Sequence, residues 1–344
     1  MKKFIAMTLL ISMMISLAAC GSQQPAAPAP TPETPAEQPA APSGDVIVIR
    51  LGTATEPDGH YVRGAKLFEE KVEEYTNGKV DVQIFPSSQL GNERDLIEGL
   101  SLGTVEMTVS STGPLPNFSK DFMVFDLPFI VTDREQAYEV MDGEIGQEIL
   151  ASLEPIGIKA LGFWENGFRN LSNDKKEIVT PEDVKGMKIR TMENPIHIAT
   201  FELLGAIPTP MAWGEVFTAL QQGTIDGQEN PLVIFNTNKL HEAQKYLSMT
   251  GHFYSPAVMM ISKAAFDGYP ADVQEAIIKA EKEARDWERA YSQQMDQELG
   301  EVIAGNGVTI TEVDKALWQE ACSPIYEKFS DQINPDYIDA LLGK

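Results

Sequence analysis

Two arginines stand where an anion could be held. Arg169 lies in Gly162-Phe-Trp-Glu-Asn-Gly-Phe-Arg-Asn170, directly after a strand-like segment. Arg190 ends the strand-like Met187-Lys-Ile-Arg190, just ahead of a helix start at Asn194-Pro195. Ligands of α/β proteins bind where strand ends face helix starts. A planar guanidinium in such a place can grip a carboxylate through two parallel charge-assisted hydrogen bonds. Arginine is also scarce, with eight residues against nineteen Lys, so its placement is informative. The alternative for either residue is an ordinary ion pair with one of the 51 Asp and Glu side chains.

Other chemistries find little footing. The chain contains no Gly-x-Ser-x-Gly elbow, no His-Glu-x-x-His, no Walker-type phosphate loop and no dinucleotide Gly-x-Gly-x-x-Gly. The four histidines, His60, His197, His241 and His252, lack the spacing of metal ligands. Carboxylates are so abundant that a catalytic pair could be assembled by chance. We therefore expect no metal, no cofactor and no enzyme, the competing enzyme reading being an exported lyase or hydrolase built on acidic residues.

Composition bounds the rest. A length of 344 residues favours about two domains, and 43% hydrophobic content is enough to build cores. A formal charge of −24 repels phosphate backbones, and no basic run is denser than Lys175-Lys176, which argues against nucleic acid. Lys2-Lys3 followed by the apolar stretch from Phe4 to Ala18 reads as an export signal too short to span a bilayer comfortably. It ends in Leu17-Ala18-Ala19-Cys20-Gly21, which resembles the lipobox of bacterial lipoproteins, with Cys20 as the lipid-attachment residue. The alternative is an ordinary signal peptide with an incidental cysteine. If Cys20 carries lipid, Cys322 has no partner and is expected to be a small packed residue. Residues 21 to 44 hold seven Pro and six Ala with no bulky apolar side chain, a semi-rigid spacer.

From Asp45 onward the pattern is globular. A strand begins at Val46, Val48 and Leu51; Tyr61, Ala65, Phe68, Val72 and Tyr75 share one helical face that Asn77-Gly78 ends. Val80, Val82 and Ile84 alternate as a strand, Asn92 to Leu102 reads as a helix closed by Gly103, and Val105, Met107 and Val109 form the next strand. This β-α-β-α-β order predicts an α/β fold with a largely parallel sheet. Thr132-Asp-Arg-Glu135 has a capping-box pattern, Ile158 to Phe163 a strand pattern, and Asn194-Pro195 opens a helix running to Leu204. Ala271 to Ala304 is apolar every three or four residues, a helix of about 45 Å that could brace two lobes. It could also lie on one lobe, or break near Gly300.

At five places the sequence resembles the DctP family, the extracytoplasmic solute-binding proteins of TRAP (tripartite ATP-independent periplasmic) transporters. The motifs, in order, are Pro86-Ser-Ser-Gln-Leu-Gly91 with Asn92-Glu-Arg94, Asp126-Leu-Pro-Phe129, Gly186-Met-Lys-Ile-Arg190, Pro208-Thr-Pro-Met-Ala-Trp-Gly-Glu215 and Asp226-Gly-Gln-Glu-Asn-Pro231. The resemblance implies a two-lobed periplasmic-binding-protein-like α/β fold. Each lobe is a mixed or mostly parallel sheet flanked by helices, with strand hinges and a long helix spanning both. It implies lobes of residues 45–166 plus about 256–295, and 167–255 plus about 296–344, behind a signal peptide (1–19) and an anchor and linker (20–44). It implies capture of an organic acid, a four-carbon dicarboxylate or related carboxylate, and delivery to the TRAP membrane permease subunits. Sugar, keto or aromatic acids, or a sensory role, are the alternatives.

The family's selectivity arginine maps to Arg190, and the second arginine of many members to Arg169. The asparagine of Gln-Glu-Asn-Pro maps to Asn230 and the aromatic of the Pro-Met motif to Trp213. Ser111, Asn92, Thr53 and His60 are implied for the first lobe. Arg190 is followed by Thr191-Met192 where the family often has Val-Pro, so the pocket wall differs there. The implied protein is a monomer outside the cytoplasmic membrane, touching it only through the lipid.

Overall fold

A computed structural model describes residues 46–344. The export segment, Cys20 and the spacer lie outside the described residues. The chain first alternates as β1 (Ile47–Gly52), α1 (His60–Thr76), β2 (Val80–Phe85), α2 (Glu93–Leu102) and β3 (Met107–Ser111). Helices α3 (Arg134–Asp142) and α4 (Glu144–Ala151) lead into β4 (Ile158–Asn173). A second alternation follows as β5 (Lys188–Thr191), α5 (Pro195–Leu203), β6 (Ile207–Pro210), α6 (Trp213–Gln221), β7 (Gly227–Asn230) and α7 (Leu232–Thr237). Strand β8 (Tyr246–Ser262) returns through the molecule, followed by α8 (Lys263–Gly268), α9 (Ala271–Gly305), β9 (Thr309–Thr311), α10 (Lys315–Cys322), α11 (Pro324–Phe329) and α12 (Pro335–Leu341).

The strand order β2-β1-β3-β8-β4-β7-β5-β6, with β9 beside β8, explains the two lobes. Strands β1 to β3 are parallel and form one lobe, β5 to β7 are parallel and form the other, and the long antiparallel pair β4 and β8 belongs to both. Because β4 and β8 run through both lobes, a relative motion of the lobes must bend those strands. Register shifts between Ala160 and Gly162, Glu165 and Gly167, and Arg169 and Leu171 break the β4 ladder and make such bending easier. These bulges also hid the strand: the alternation stops at Phe163, whereas β4 runs ten residues further to Asn173. Strand β8, interrupted by Gly251 and Pro256, carried no readable alternation.

Local signals set the helix ends. Asn92 caps α2 by accepting from the Arg94 and Asp95 amides, while the Asp95 carboxylate accepts from the Asn92 amide, a reciprocal capping box. Asn194 caps α5 ahead of Pro195, its side chain accepting from the Ile196 and His197 amides without a reciprocal partner. The capping box expected at Thr132-Asp-Arg-Glu135 is absent. Asp133 caps α3 instead, its shorter carboxylate reaching the Glu135 and Gln136 amides.

Helix α9 is 35 residues long, about 52 Å. Val273, Ile277, Ala280 and Ala284 pack with β1 to β3, and Leu299 and Ile303 pack with α6 and α7, so it spans both lobes without breaking at Gly300. Cys322 is buried beside Trp318 and Phe253, and burial pushes its thiol up to about 12. At the C-terminal end Ile325, Phe329, Ile333, Tyr337 and Leu341 recur every four residues and share one apolar cluster with Leu96, Phe122 and Met141 and with Ile196 and Ala199 of α5. Tyr326 Oη donates to the Pro128 carbonyl at 2.8 Å on the same face. No helix among the described residues is long and apolar enough to cross a membrane.

A buried polar network ties α1, α3 and α9 to the middle of β4. Glu165 accepts from Arg134 Nε (3.1 Å), Tyr138 Oη (2.8 Å) and Tyr254 Oη (2.5 Å), and its amide donates to Glu288 Oε2 (3.0 Å). Arg134 continues to Asp296. His60 Nε2 lies 4.0 Å from Glu288 Oε1, and neither atom has a hydrogen-bond partner among the described residues. Burial pushes Glu288 well above its ordinary value and pulls His60 down to about 3, so the imidazole is neutral at neutral pH.

Two predictions follow from this packing. A β-carbon on Gly64 would stand 2.4 Å from the Trp164 ring and 3.0 Å from Glu288 Cβ. Gly64→Ala should therefore cost about 1–3 kcal/mol despite the better helix propensity of Ala, seen as a lower denaturation midpoint; an unchanged midpoint would mean that α1 is not seated on β4. His60 has a folded pKa below that of a free imidazole, so its contribution is complete above about 6.5 and is lost as pH falls toward 3. Between pH 6.5 and 5 the wild type should lose about 2 kcal/mol that His60→Gln retains, measured as the difference between their stability curves. Parallel curves would show that His60 takes no proton on unfolding.

Candidate functional site

The C-terminal ends of β1, β3, β5 and β7 point into the groove between the lobes, where a small cavity is found. Its first-lobe wall is Thr55 after β1, Tyr61 on α1, Glu93 at the start of α2 and Ser111 at the end of β3. Its second-lobe wall is Arg190 on β5, Met192 beyond it, Trp213 at the start of α6 and Asn230 at the end of β7. Asn166 and Arg169 come from the bulged middle of β4.

The two arginines are not equivalent. Arg169 is fully committed: Nε and Nη2 donate to the two carboxylate oxygens of Glu229 on β7, and Nη2 also donates to the Glu229 carbonyl at 2.7 Å. Only Nη1 is left without a partner among the described residues. Burial alone would raise the Glu229 carboxyl, but Arg169 overrides it and holds the group below its ordinary range. His252 Nε2 stands 3.6 Å from Glu229 on the far side. Burial pulls His252 down to about 3, so it is neutral at neutral pH.

Among the described residues no carboxylate is in hydrogen-bonding contact with Arg190. Its Nε and Nη2 donate to the Met211 carbonyl at 3.1 and 2.8 Å, and its guanidinium lies 5.7 Å from the centre of the Trp213 ring. Burial, and then repulsion from Arg169, pull it down to about 10 against the opposing pull of Glu229, Glu93 and Glu193, leaving it cationic at neutral pH. A buried guanidinium with a spare edge, a cation–π neighbour and no counter-ion is a receptor for a carboxylate.

Loops from the two lobes meet over this cavity. Asn117 Nδ2 donates to the Glu193 carbonyl at 2.7 Å, and Asn194 Nδ2 donates to the Gly113 carbonyl at 2.8 Å and to Asp126 Oδ2 at 2.7 Å. Met192 closes against Gly113, where even a β-carbon would fall 2.5 Å from its sulfur.

Of the eight residues expected to face a ligand, Arg190, Arg169, Asn230, Trp213 and Ser111 line this one cavity. The other three do not. Asn92 is held in the α2 cap and faces a smaller outer pocket, Thr53 is buried 3.3 Å from Thr55 Oγ1, and His60 lies behind Tyr61 against Glu288. In each case the neighbouring residue, Glu93, Thr55 or Tyr61, takes the position in the wall. Glu93 was legible in principle, since a residue just past an N-cap at a strand-end site projects toward the ligand. Tyr61 was read only as part of the core face of α1. Asn166 had no sequence signal, because it owes its orientation to a bulge. Among the described residues no group of three or more His, Cys, Asp or Glu side chains is arranged to hold a metal ion.

Comparison with known proteins agrees with this geometry. The family model of bacterial extracellular solute-binding proteins, family 7 (DctP), matches residues 51–332. A solute-binding protein of Verminephrobacter eiseniae is 43% identical over 294 residues, covering 85% of this chain and 88% of that one. Among solved structures, a TRAP periplasmic solute-binding protein from a Polaromonas species, bound to D-erythronate, is 38% identical with a TM-score of 0.84, covering 86% of this chain and 98% of that one. Another, from Sulfurospirillum deleyianum with bound succinate, is 34% identical with a TM-score of 0.83, covering 87% and 99%. Strand order, shared strands, an anion-ready cavity and these matches lead to one conclusion: the chain belongs to the bacterial extracellular solute-binding protein family 7, the DctP family of TRAP solute-binding proteins.

Proposed function

We propose that this protein is the receptor of a TRAP transporter that pairs the carboxylate of an organic acid with Arg190, closes its lobes over it and hands it to a sodium-coupled membrane permease. The observation that carries this reading is the buried guanidinium of Arg190, which faces the cavity from a strand end without a carboxylate hydrogen-bonded to it. Arg169 Nη1 and Asn230 supply further polar contacts, Trp213 gives an apolar wall, and Ser111 approaches from the opposite lobe. The ligands of similar proteins, a hydroxylated monocarboxylate in one and a dicarboxylate in another, support a carboxylate without fixing its class. The Cys20 motif supports a lipid-anchored protein held outside the cytoplasmic membrane by the Pro/Ala spacer, acting as a monomer and without catalysis.

Lobe motion suits this role. A bound acid bridging Arg190 and Ser111 adds contacts across the groove that an open form cannot make, so ligand shifts the population toward the closed form.

Truncating Arg190 would leave a buried carboxylate unpaired, at a cost of about 2–5 kcal/mol, or roughly 30-fold or more in affinity. The test is a thermal-shift screen of organic acids, amino acids and neutral sugars, followed by calorimetry on Arg190→Ala. Ligand at 100 times its Kd adds about 2.7 kcal/mol, on the order of 5 °C for a protein of this size. The expected result is a shift confined to carboxylates and lost in Arg190→Ala while the unliganded melting point stays within a few degrees. Shifts with neutral sugars only, or equal affinity in the variant, would overturn the reading.

A further inference from the structure

The same cavity holds a negative group that capture of an anion does not require. Glu93, the first residue of α2, lines it opposite the arginines. Its Oε1 accepts from the Ser111 amide at 2.9 Å and from Ser110 Oγ at 3.2 Å, which fixes the carboxylate on the end of β3. Its Oε2 accepts from no described residue. Beside it Tyr61 Oη is buried, lines the same cavity and has no hydrogen-bond partner among the described residues. The second-lobe wall and the middle of β4 therefore offer guanidinium donors, and the first-lobe wall a carboxylate acceptor together with a hydroxyl.

The charges decide what fits between them. Glu229 balances the charge of Arg169 and leaves only its Nη1 to offer, so Arg190 is the one uncompensated cation among the described residues of the cavity wall. A ligand with one carboxylate can place it there. A second carboxylate would have to lie toward Glu93, with like-charge repulsion and no compensating cation. A hydroxyl there is favoured, because it donates a charge-assisted hydrogen bond to Oε2 and can exchange another with Tyr61. An ammonium group is less suited, because it brings three donors to a wall that offers one unpaired carboxylate oxygen and one hydroxyl. Apolar acids would leave both the Glu93 oxygen and the Tyr61 hydroxyl desolvated and unpaired.

We propose that Glu93, supported by Tyr61, is the specificity-determining residue of this site and selects hydroxylated monocarboxylates, the aldonate class of sugar acid, over dicarboxylates. The proposal rests on the arginine–carboxylate reading above and narrows it. It assigns opposite duties to the two walls: the second lobe holds the acid group, and the first lobe reads the hydroxylated tail.

The test is calorimetry of the purified protein with four-carbon acids that differ only in the tail: D-erythronate and L-threonate, succinate, butyrate and 2-aminobutyrate. The wild type should bind one of the two hydroxy acids at least ten-fold tighter than succinate, butyrate or 2-aminobutyrate. In Glu93→Gln that preference over succinate should fall ten-fold or more, and Tyr61→Phe should lower affinity for the hydroxy acid while leaving succinate unchanged. Because the ranking is read first in the wild type, poor folding of a variant leaves the proposal falsifiable. Succinate or 2-aminobutyrate bound as tightly as the hydroxy acids, or an unchanged ranking in a folded Glu93→Gln, would overturn the role of Glu93 while leaving capture by Arg190 standing. Binding of none of these acids together with a response to neutral sugars alone would overturn both readings.

Discussion

The site depends on the buried pairing of Arg169 with Glu229. Both side chains are almost wholly excluded from solvent, one on β4 and the other on β7, and the forked contact joins the shared strand to the second lobe. Removing one partner of such a pair typically costs about 3–5 kcal/mol, because the other charge stays buried and uncompensated. The pair creates a neutral floor beneath the cavity. On that floor a second arginine can stand nearby with its charge uncancelled, which would be far more costly if Arg169 were also unpaired.

Arg190 gains its availability from how the backbone satisfies it. The Met211 carbonyl accepts from two of its nitrogens and orients the guanidinium, and Trp213 shields one face. A carbonyl carries no full charge, so it positions the group without neutralising it. This local arrangement outweighs the protein's overall charge of −24, because at physiological salt charges more than about 8 Å away are largely screened. An acidic surface and an anion-binding cavity are therefore compatible.

The groove is closed by contacts that belong to neither lobe alone. Asn194 caps α5 with one end of its side chain and reaches the Gly113 carbonyl with the other, and Asn117 reaches back to Glu193. The residues that cross the groove are thus fastened to helix starts and strand ends that also shape the cavity. Behind them the Glu165 network, anchored in α3 and α9, pins the bulged middle of β4.

Local chemistry in the sequence determined the alternating first lobe, the helix starts at Asn92 and Asn194, the apolar periodicity of α9 and the strand-end position of Arg190. Each of these depends on residues close in the chain, and periodicity and capping are local properties. Tertiary structure alone decided that β4 and β8 run through both lobes, since their bulges and their Gly and Pro erase alternation and only pairing with each other makes them strands. It also set α11 and α12 in the apolar cluster that holds Leu96, Phe122 and Met141. Most of all, it separated two arginines that look alike in sequence. Glu229 lies 60 residues from Arg169, and only the β4–β7 pairing brings them together, leaving Arg190 as the unpaired cation and Glu93 as the charge that faces it.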